Sequence, residues 1–245
     1  MDPVKKIQED QYELPYHWFL EPDVYRGRKY YGYTAFAIEM ATKHGLDTGT
    51  ARILDAGCGD GRFIKMLHDA NANTVEGLDY SERAVAFGRI LLPDTSIFIG
   101  DLTDFTTLQG VEKYDCIFLI ETLEHIELKH VDTVLNNLKK MLTPDGLLII
   151  TVPSTQLPLH KKHYQHFTST SLSAYVSDKF DLLETVGYAS VQQNVLRFVY
   201  KLIHNRIWEI KPLVTYFNVT IYPKYLLRTK PDEGEGLMAI MRNKL

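Results

Sequence analysis

Three observations predict a doubly wound α/β fold. Short apolar runs of strand length recur along the chain, helix-length amphipathic stretches separate them, and a glycine-rich turn joins the first run to the first such stretch. The 245 residues suffice for one domain of this kind with modest additions, and are too few for two catalytic domains. The runs fall at Ala51–Ala56, Thr74–Asp79, Ser96–Ile99, Tyr114–Ile120 and Leu147–Val152. Between them lie Arg62–Ala70, Glu82–Leu91 and Lys129–Leu142. The last places Val131, Val134, Leu135, Leu138 and Leu142 at three- and four-residue spacing, which is one apolar face of a helix. Thr143-Pro144-Asp145-Gly146 then punctuates the turn into the next strand. Several runs are apolar throughout, so the sheet is expected to be parallel and covered by helices on both faces. Phe180–Val186 and Leu237–Arg242 are later strand candidates. The expected organisation is an N-terminal cap segment 1–49, a ligand-binding core 50–187, an insert or lid 188–235 and a final core strand 236–245.

Composition narrows the class. Apolar residues make up 45% and charged residues 24%, an ordinary globular mixture that excludes disordered and fibrous chains. No apolar run approaches the roughly 18 residues of a membrane span. The first residues, MDPVKKIQEDQYELPYHWF, mix charges of both signs without the apolar stretch of an export signal. Cys58 and Cys116 cannot make a disulfide framework, and a cytoplasmic location is expected. The net charge of −4 argues against a nucleic-acid partner.

The glycine turn reads Ile53-Leu54-Asp55-Ala56-Gly57-Cys58-Gly59-Asp60-Gly61. Its glycines let the backbone turn tightly and let a ligand approach the main chain. A phosphate-cradling turn leaves a helix N-terminus free of negative charge. Here Asp55 and Asp60 bracket the loop, which favours a cationic ligand such as a sulfonium cofactor with an α-amino group. Asp79 ends the second run, 24 residues after Asp55 and near the offset at which an acid reaches a ribose diol. Asp101 follows the third run, where a side chain can reach an adenine edge. All three acids are expected at the C-terminal ends of parallel strands, where open α/β sheets bind ligands.

On these motifs the sequence resembles the class I S-adenosylmethionine-dependent methyltransferases. LDAGCGDG is similar to that family's first motif, GLDYS to its ribose motif, GDL to its adenine motif and LTPDGLLIITVP to its fifth strand. The resemblance implies a Rossmann-like seven-stranded sheet with one antiparallel strand, here Leu237–Arg242. It implies that Asp55, Gly57, Cys58, Gly59 and Gly61 face the methionine part, Asp79 and Tyr80 the ribose and Asp101 the adenine amine, with Leu102 on the ring. Glu121 would orient the cofactor.

Glu121, Glu124 and His125 stand at i, i+3 and i+4, one face of a helical turn after the fourth strand. Five of the nine histidines fall between positions 125 and 166. Three readings stay open. Glu121, Glu124 and His125, with His160, His163 or His166, hold Mg²⁺ or Mn²⁺ beside an acceptor oxygen, as in the small-RNA 2′-O-methyltransferases that this stretch resembles. Alternatively, His125 or His166 is a general base without metal. In the third reading the cluster only packs or orients cofactor. Ubiquinone-pathway O-methyltransferases share the E-x-x-E-H stretch, and the first two readings make oxygen the acceptor.

Nine aromatic residues lie between Tyr12 and Phe36, and more fall in 188–225. Aromatic faces with interspersed polar groups suit a sugar or a polar ring, although most are expected simply to pack the flanks onto the sheet. LPYHWF and YRGRKYYGY resemble N-terminal segments of surface-glycan methyltransferases. The expected function is therefore O-methylation of a small polar acceptor, a sugar or glycan. One rival is RNA ribose methylation, drawing on Lys161, Lys162, Arg197, Lys201, Arg206 and Lys211. Another is an inactive cofactor-binding scaffold.

Overall fold

The computed structural model describes residues 3–22, 25–108, 113–205 and 207–244, so Arg206 lies outside the described residues. Helices α1 (Pro3–Gln11) and α2 (Tyr25–Lys43) precede the alternating core. The core runs β1 (Arg52–Ala56), α3 (Arg62–Asp69), β2 (Thr74–Asp79), α4 (Glu82–Leu91), β3 (Ile97–Ile99), β4 (Tyr114–Ile120), α5 (Leu128–Met141), β5 (Leu142–Pro153), α6 (Ser169–Val176) and β6 (Phe180–Ser190). An arm of α7 (Asn194–Ile203), α8 (Lys211–Tyr216), a π-helical turn and α9 (Tyr222–Tyr225) follows. The chain closes with β7 (Arg228–Thr229) and β8 (Gly234–Asn243).

The strands form one sheet in the order β3-β2-β1-β4-β5-β8-β6-β7. β3, β2, β1, β4 and β5 are parallel, and β8 enters antiparallel between β5 and β6. This is the expected doubly wound α/β architecture with one strand more than the seven expected. The extra strand, β7, is two residues long and pairs with Gly187 and Tyr188 at the sheet edge, too short to leave a periodic signal. β5 also starts earlier than its apolar run, because Leu142 already pairs with Tyr114 before the Thr143–Gly146 turn.

Two buried clusters cover the two faces. One gathers Ile53, Phe63, Ile64, Phe118, Ile149 and the α2 residues Phe36, Ala37 and Met40. The other gathers Leu54, Ile117, Leu119, Leu148 and the α5 stripe Val131, Val134, Leu135 and Leu138. Alternate residues of β1 and β4 thus serve opposite layers, as a sheet covered on both sides requires. Local chemistry fixes the helix starts. Ser81 Oγ accepts from the Ala84 N–H to cap α4, and Thr168 with Ser171 forms a reciprocal capping box on α6. The order reverses between β1 and β4, which opens a crevice at the C-terminal strand ends.

Candidate active site

A cavity of about 280 Å³ occupies that crevice. Of the residues expected to bind cofactor, Asp55, Gly57, Cys58, Gly59, Asp79, Tyr80, Asp101, Leu102 and Glu121 line it. Gly57 has φ of +81° and donates its N–H to the Leu78 carbonyl at 2.7 Å. A Cβ there would stand 2.7 Å from Thr122 Cγ2 and closer still to Oγ1, so only glycine fits against β4's end. Asp79 accepts from the Gly59 N–H and the Ser81 N–H, each at 2.8 Å, and thereby ties the glycine loop to the end of β2.

Two expectations for the loop need correction. Gly61 does not line the cavity; it opens α3 with φ of +79° and lies against Leu92. Asp60 is fully buried and faces away from the cavity toward the N-terminal segment, accepting from the backbone N–H of His17 at 3.1 Å. Of the two bracketing acids, only Asp55 faces the cavity. Its Oδ2 is buried without a hydrogen-bond partner among the described residues. Burial pushes the Asp55 carboxyl well above the usual range, and the charges of Asp79 and Asp60 add to that. Burial raises Asp79 to about 6 despite its two backbone donors. At Asp101, burial opposes ionisation, but donation from Lys5 and Thr103 outweighs it and the carboxyl is lowered. Burial raises the Cys58 and Cys116 thiols, which removes them as nucleophiles.

The far end of the cavity holds the acid–histidine cluster. Glu121 is not on a helical face with its neighbours: its φ is +46°, and only Leu123–His125 form a 3₁₀ turn. β4 still pairs with β5 at this point, with the Glu121 N–H donating to the Thr151 carbonyl, and that holds Glu121 out of the helical turn. Tyr188 from β6 donates its hydroxyl to Glu121 Oε1. Glu124, His125 and His163 have ligand atoms within 4.8 Å of one another, a group that includes neither Glu121 nor His166. His166 stands behind His163 and does not line the cavity.

Hydrogen bonds fix the tautomers of this group. A carbonyl only accepts, so His125 Nδ1 carries the proton it gives to the Lys162 oxygen at 2.8 Å, which leaves Nε2 bare. In the same way His166 Nδ1 donates to the Leu157 oxygen at 3.1 Å, its bare Nε2 accepts from His163 Nδ1 at 2.8 Å, and His163 Nε2 is left bare. His125 Nε2 lies 3.8 Å from Glu124 Oε1, while Glu124 Oε2 is buried without a partner among the described residues. Burial lowers His125 to about 4, and burial with the neighbouring histidines lowers His163 to about 3. Burial, then the charge of Glu121, raises Glu124. Burial also raises Glu121, against the Tyr188 hydrogen bond.

The side chains that sequence reasoning missed come chiefly from the N-terminal segment. Gln8, Tyr12, Tyr16 and His17 line the cavity from above, with Tyr30 and Tyr33 of α2 behind them. Lys5 pairs with Asp101, Tyr80 donates to Gln8 Oε1 at 2.8 Å, and the Trp18 indole donates to the Asp60 carbonyl at 2.9 Å. The aromatic density of Tyr12–Phe36 marked the segment, but no spacing could assign its partners.

A family model described as a methyltransferase domain matches residues 26–193. A dTDP-3-amino-3,6-dideoxy-α-D-glucopyranose N,N-dimethyltransferase of Streptomyces fradiae is 27% identical over 51% of this chain and 48% of its own. A ubiquinone biosynthesis O-methyltransferase of Actinobacillus pleuropneumoniae is 28% identical over 41% of this chain and 44% of its own. The chain thus spans about half the length of the curated relatives it matches. Among solved structures, the N-methyltransferase NodS of Bradyrhizobium japonicum with S-adenosyl-L-homocysteine superposes with a TM-score of 0.57 at 16% identity, covering 86% of each chain. The [4+2]-cyclase SpnF superposes with a TM-score of 0.58 at 17% identity, covering 86% of this chain and 81% of its own. At these identities the superpositions show the fold alone.

Proposed function

The chain belongs to the methyltransferase-domain family, and from that premise we propose an S-adenosylmethionine-dependent O-methyltransferase acting on a hydroxyl of a small polar acceptor, a sugar or glycan. The cavity fits the cofactor: the unpartnered Asp55 Oδ2 matches an α-amino group, and Asp79 keeps free lone pairs for a ribose diol. When bound, the sulfonium supplies an electrophilic methyl, which the acceptor oxygen takes as the carbon–sulfur bond breaks. The chain's part is to close α1 and Tyr16–Phe19 over the site and to prepare the acceptor oxygen.

The observation that carries the oxygen reading is the pair of bare Nε2 atoms on His125 and His163 beside Glu124. Such a set suits a divalent cation, Mg²⁺ or Mn²⁺, held by Glu124, His125 and His163, because no proton competes for the nitrogens above about pH 5. Without metal, His125 Nε2 takes the acceptor proton directly, and Glu124 stabilises the imidazolium. Tyr12, Tyr16 and His17 offer the ring faces and polar tips that a sugar uses. The sugar substrate in the Streptomyces fradiae relative's name also supports that acceptor class, although that enzyme methylates nitrogen.

The test is methyl transfer from labelled cofactor to a panel of sugars, nucleotide sugars and their amino counterparts, with and without chelator. Product labelled on oxygen is expected; product labelled on nitrogen alone, or none, overturns the reading. Loss in chelator with recovery in Mn²⁺ assigns the metal. Activity that survives chelator but falls about 10²–10⁴-fold in His125→Ala assigns the base.

A further inference from the structure

We propose that the arm formed by α7, α8 and the turn between them seats the protein on an anionic membrane surface. The arm is turned inside out. Val195, Phe198, Val199 and Leu202 recur at i, i+3, i+4 and i+7, the spacing of a core-facing stripe, yet Val195 is 76% and Phe198 60% exposed. The opposite face of α7 carries Arg197, Lys201 and His204, which line a cavity of about 370 Å³ between the arm and the body. A helix that sets Arg197 and His204 against the body and turns its apolar stripe outward has been built to meet something apolar.

The turn at the tip strengthens the case. Ile207 and Trp208 project there at 83% and 52% exposure. Three of their four backbone polar groups are already paired: Asn205 Oδ1 accepts from both N–H groups, at 2.9 and 3.3 Å, and the Asn205 N–H donates to the Trp208 carbonyl at 3.0 Å. The Trp208 indole N–H donates to the Leu202 carbonyl at 2.8 Å. Entry into a lipid interface costs most where polar backbone loses water without replacement, and these bonds lower that cost at the tip.

Charge selects the occupant. Residues 194–225 hold five Lys or Arg against one Glu, in a chain whose net charge is −4. Lys201, Lys211 and Lys224 are exposed on the arm. A second copy meeting this face would set like charge against like, whereas anionic headgroups complement it. No helix among the described residues is long and apolar enough to cross a membrane, so the arm would lie in the interface.

The experiment is flotation of the full chain with phosphatidylcholine vesicles, with and without phosphatidylglycerol, combined with quenching of tryptophan emission by brominated lipid. Binding to the anionic vesicles that weakens with salt is expected, as is quenching that disappears in Trp208→Phe. The double variant Ile207→Ser, Trp208→Ser should bind about tenfold or more weakly. Both positions are exposed, so its circular dichroism should match the parent. Failure to float with anionic vesicles at low salt overturns the proposal. Quenching that survives in Trp208→Phe overturns it, and so does a dimer in solution that the serine pair dissolves. None of these readouts requires methyl transfer, so they stand apart from the proposed activity.

Discussion

The two ends of the cavity are built by different means. At one end, Asp55, Gly57 and Gly59 come from a single strand–helix turn, and Asp79 binds that turn through the Gly59 N–H while the Ser81 N–H steadies its other oxygen. At the other, Glu124 and His125 from a 3₁₀ turn meet His163 from a distant loop, while Tyr188 reaches Glu121 across the sheet. The first end is local backbone geometry with acids attached. The second is long-range packing with its protons ordered by carbonyls. A backbone site tolerates few side chains but many contexts; a packed site tolerates neither its partners' loss nor their movement.

The largest effect expected from breaking this contrast is Gly57→Val. A β-branched residue at φ of +81° is strained, and its Cβ would drive into Thr122, which joins the two ends. Calorimetry with S-adenosylhomocysteine should show no measurable binding; retained affinity would mean that the loop does not hold the cofactor. Asp79→Ala comes next. It removes a charged partner and should weaken binding by roughly 1.5–3 kcal/mol, about 10- to 150-fold in Kd, with a cooperative melt retained. An unchanged Kd in the same titration would refute the ribose assignment.

The smallest effect sharpens the contrast through pH. Asp79 is raised to about 6 in the folded chain, so the folded state holds a proton that the unfolded chain has lost, and Asp79 opposes folding increasingly as pH rises from 4 through 6. His163 is lowered to about 3, so its neutral form supports the fold above about 6.5 and that support is lost as pH falls. Melts in chelator between pH 7 and 5 check both. The Tm of Asp79→Asn relative to the parent should fall with acidification, and that of His163→Gln should rise. Parallel slopes would show that the two ends do not titrate in opposite senses.

The same division explains what could be read in the sequence. Asp55, Gly57 and Asp79 were legible because strand ends and a glycine turn fix them within about 25 residues. β2, β4 and α4 were placed to the residue from the apolar runs and the stretch between them, and Ser81, which the reading passed over, caps α4 at that start. Glu121 was misplaced because a helical spacing does not register a positive φ at a strand end. The roles of Tyr12, His17 and Tyr188 were invisible, since each acts on a residue at least 40 positions away. Asp60 misled for the same reason: its sequence neighbours are the glycine loop, but its partner is His17.

The N-terminal segment has one more consequence, and it concerns time. Tyr12 stands so close to Gly59 that a side chain there would overlap its hydroxyl, while Lys5 on Asp101 and Gln8 on Tyr80 fasten α1 across the same opening. α1 thus lies across the route to the glycine loop, and exchange of a ligand beneath it is expected to need α1 to lift. Residence time is therefore expected to depend on the first twenty residues as well as on the carboxylates proposed to bind the cofactor. It should shorten as salt screens the lysine–aspartate pair, even where the affinity of the opened site is unchanged.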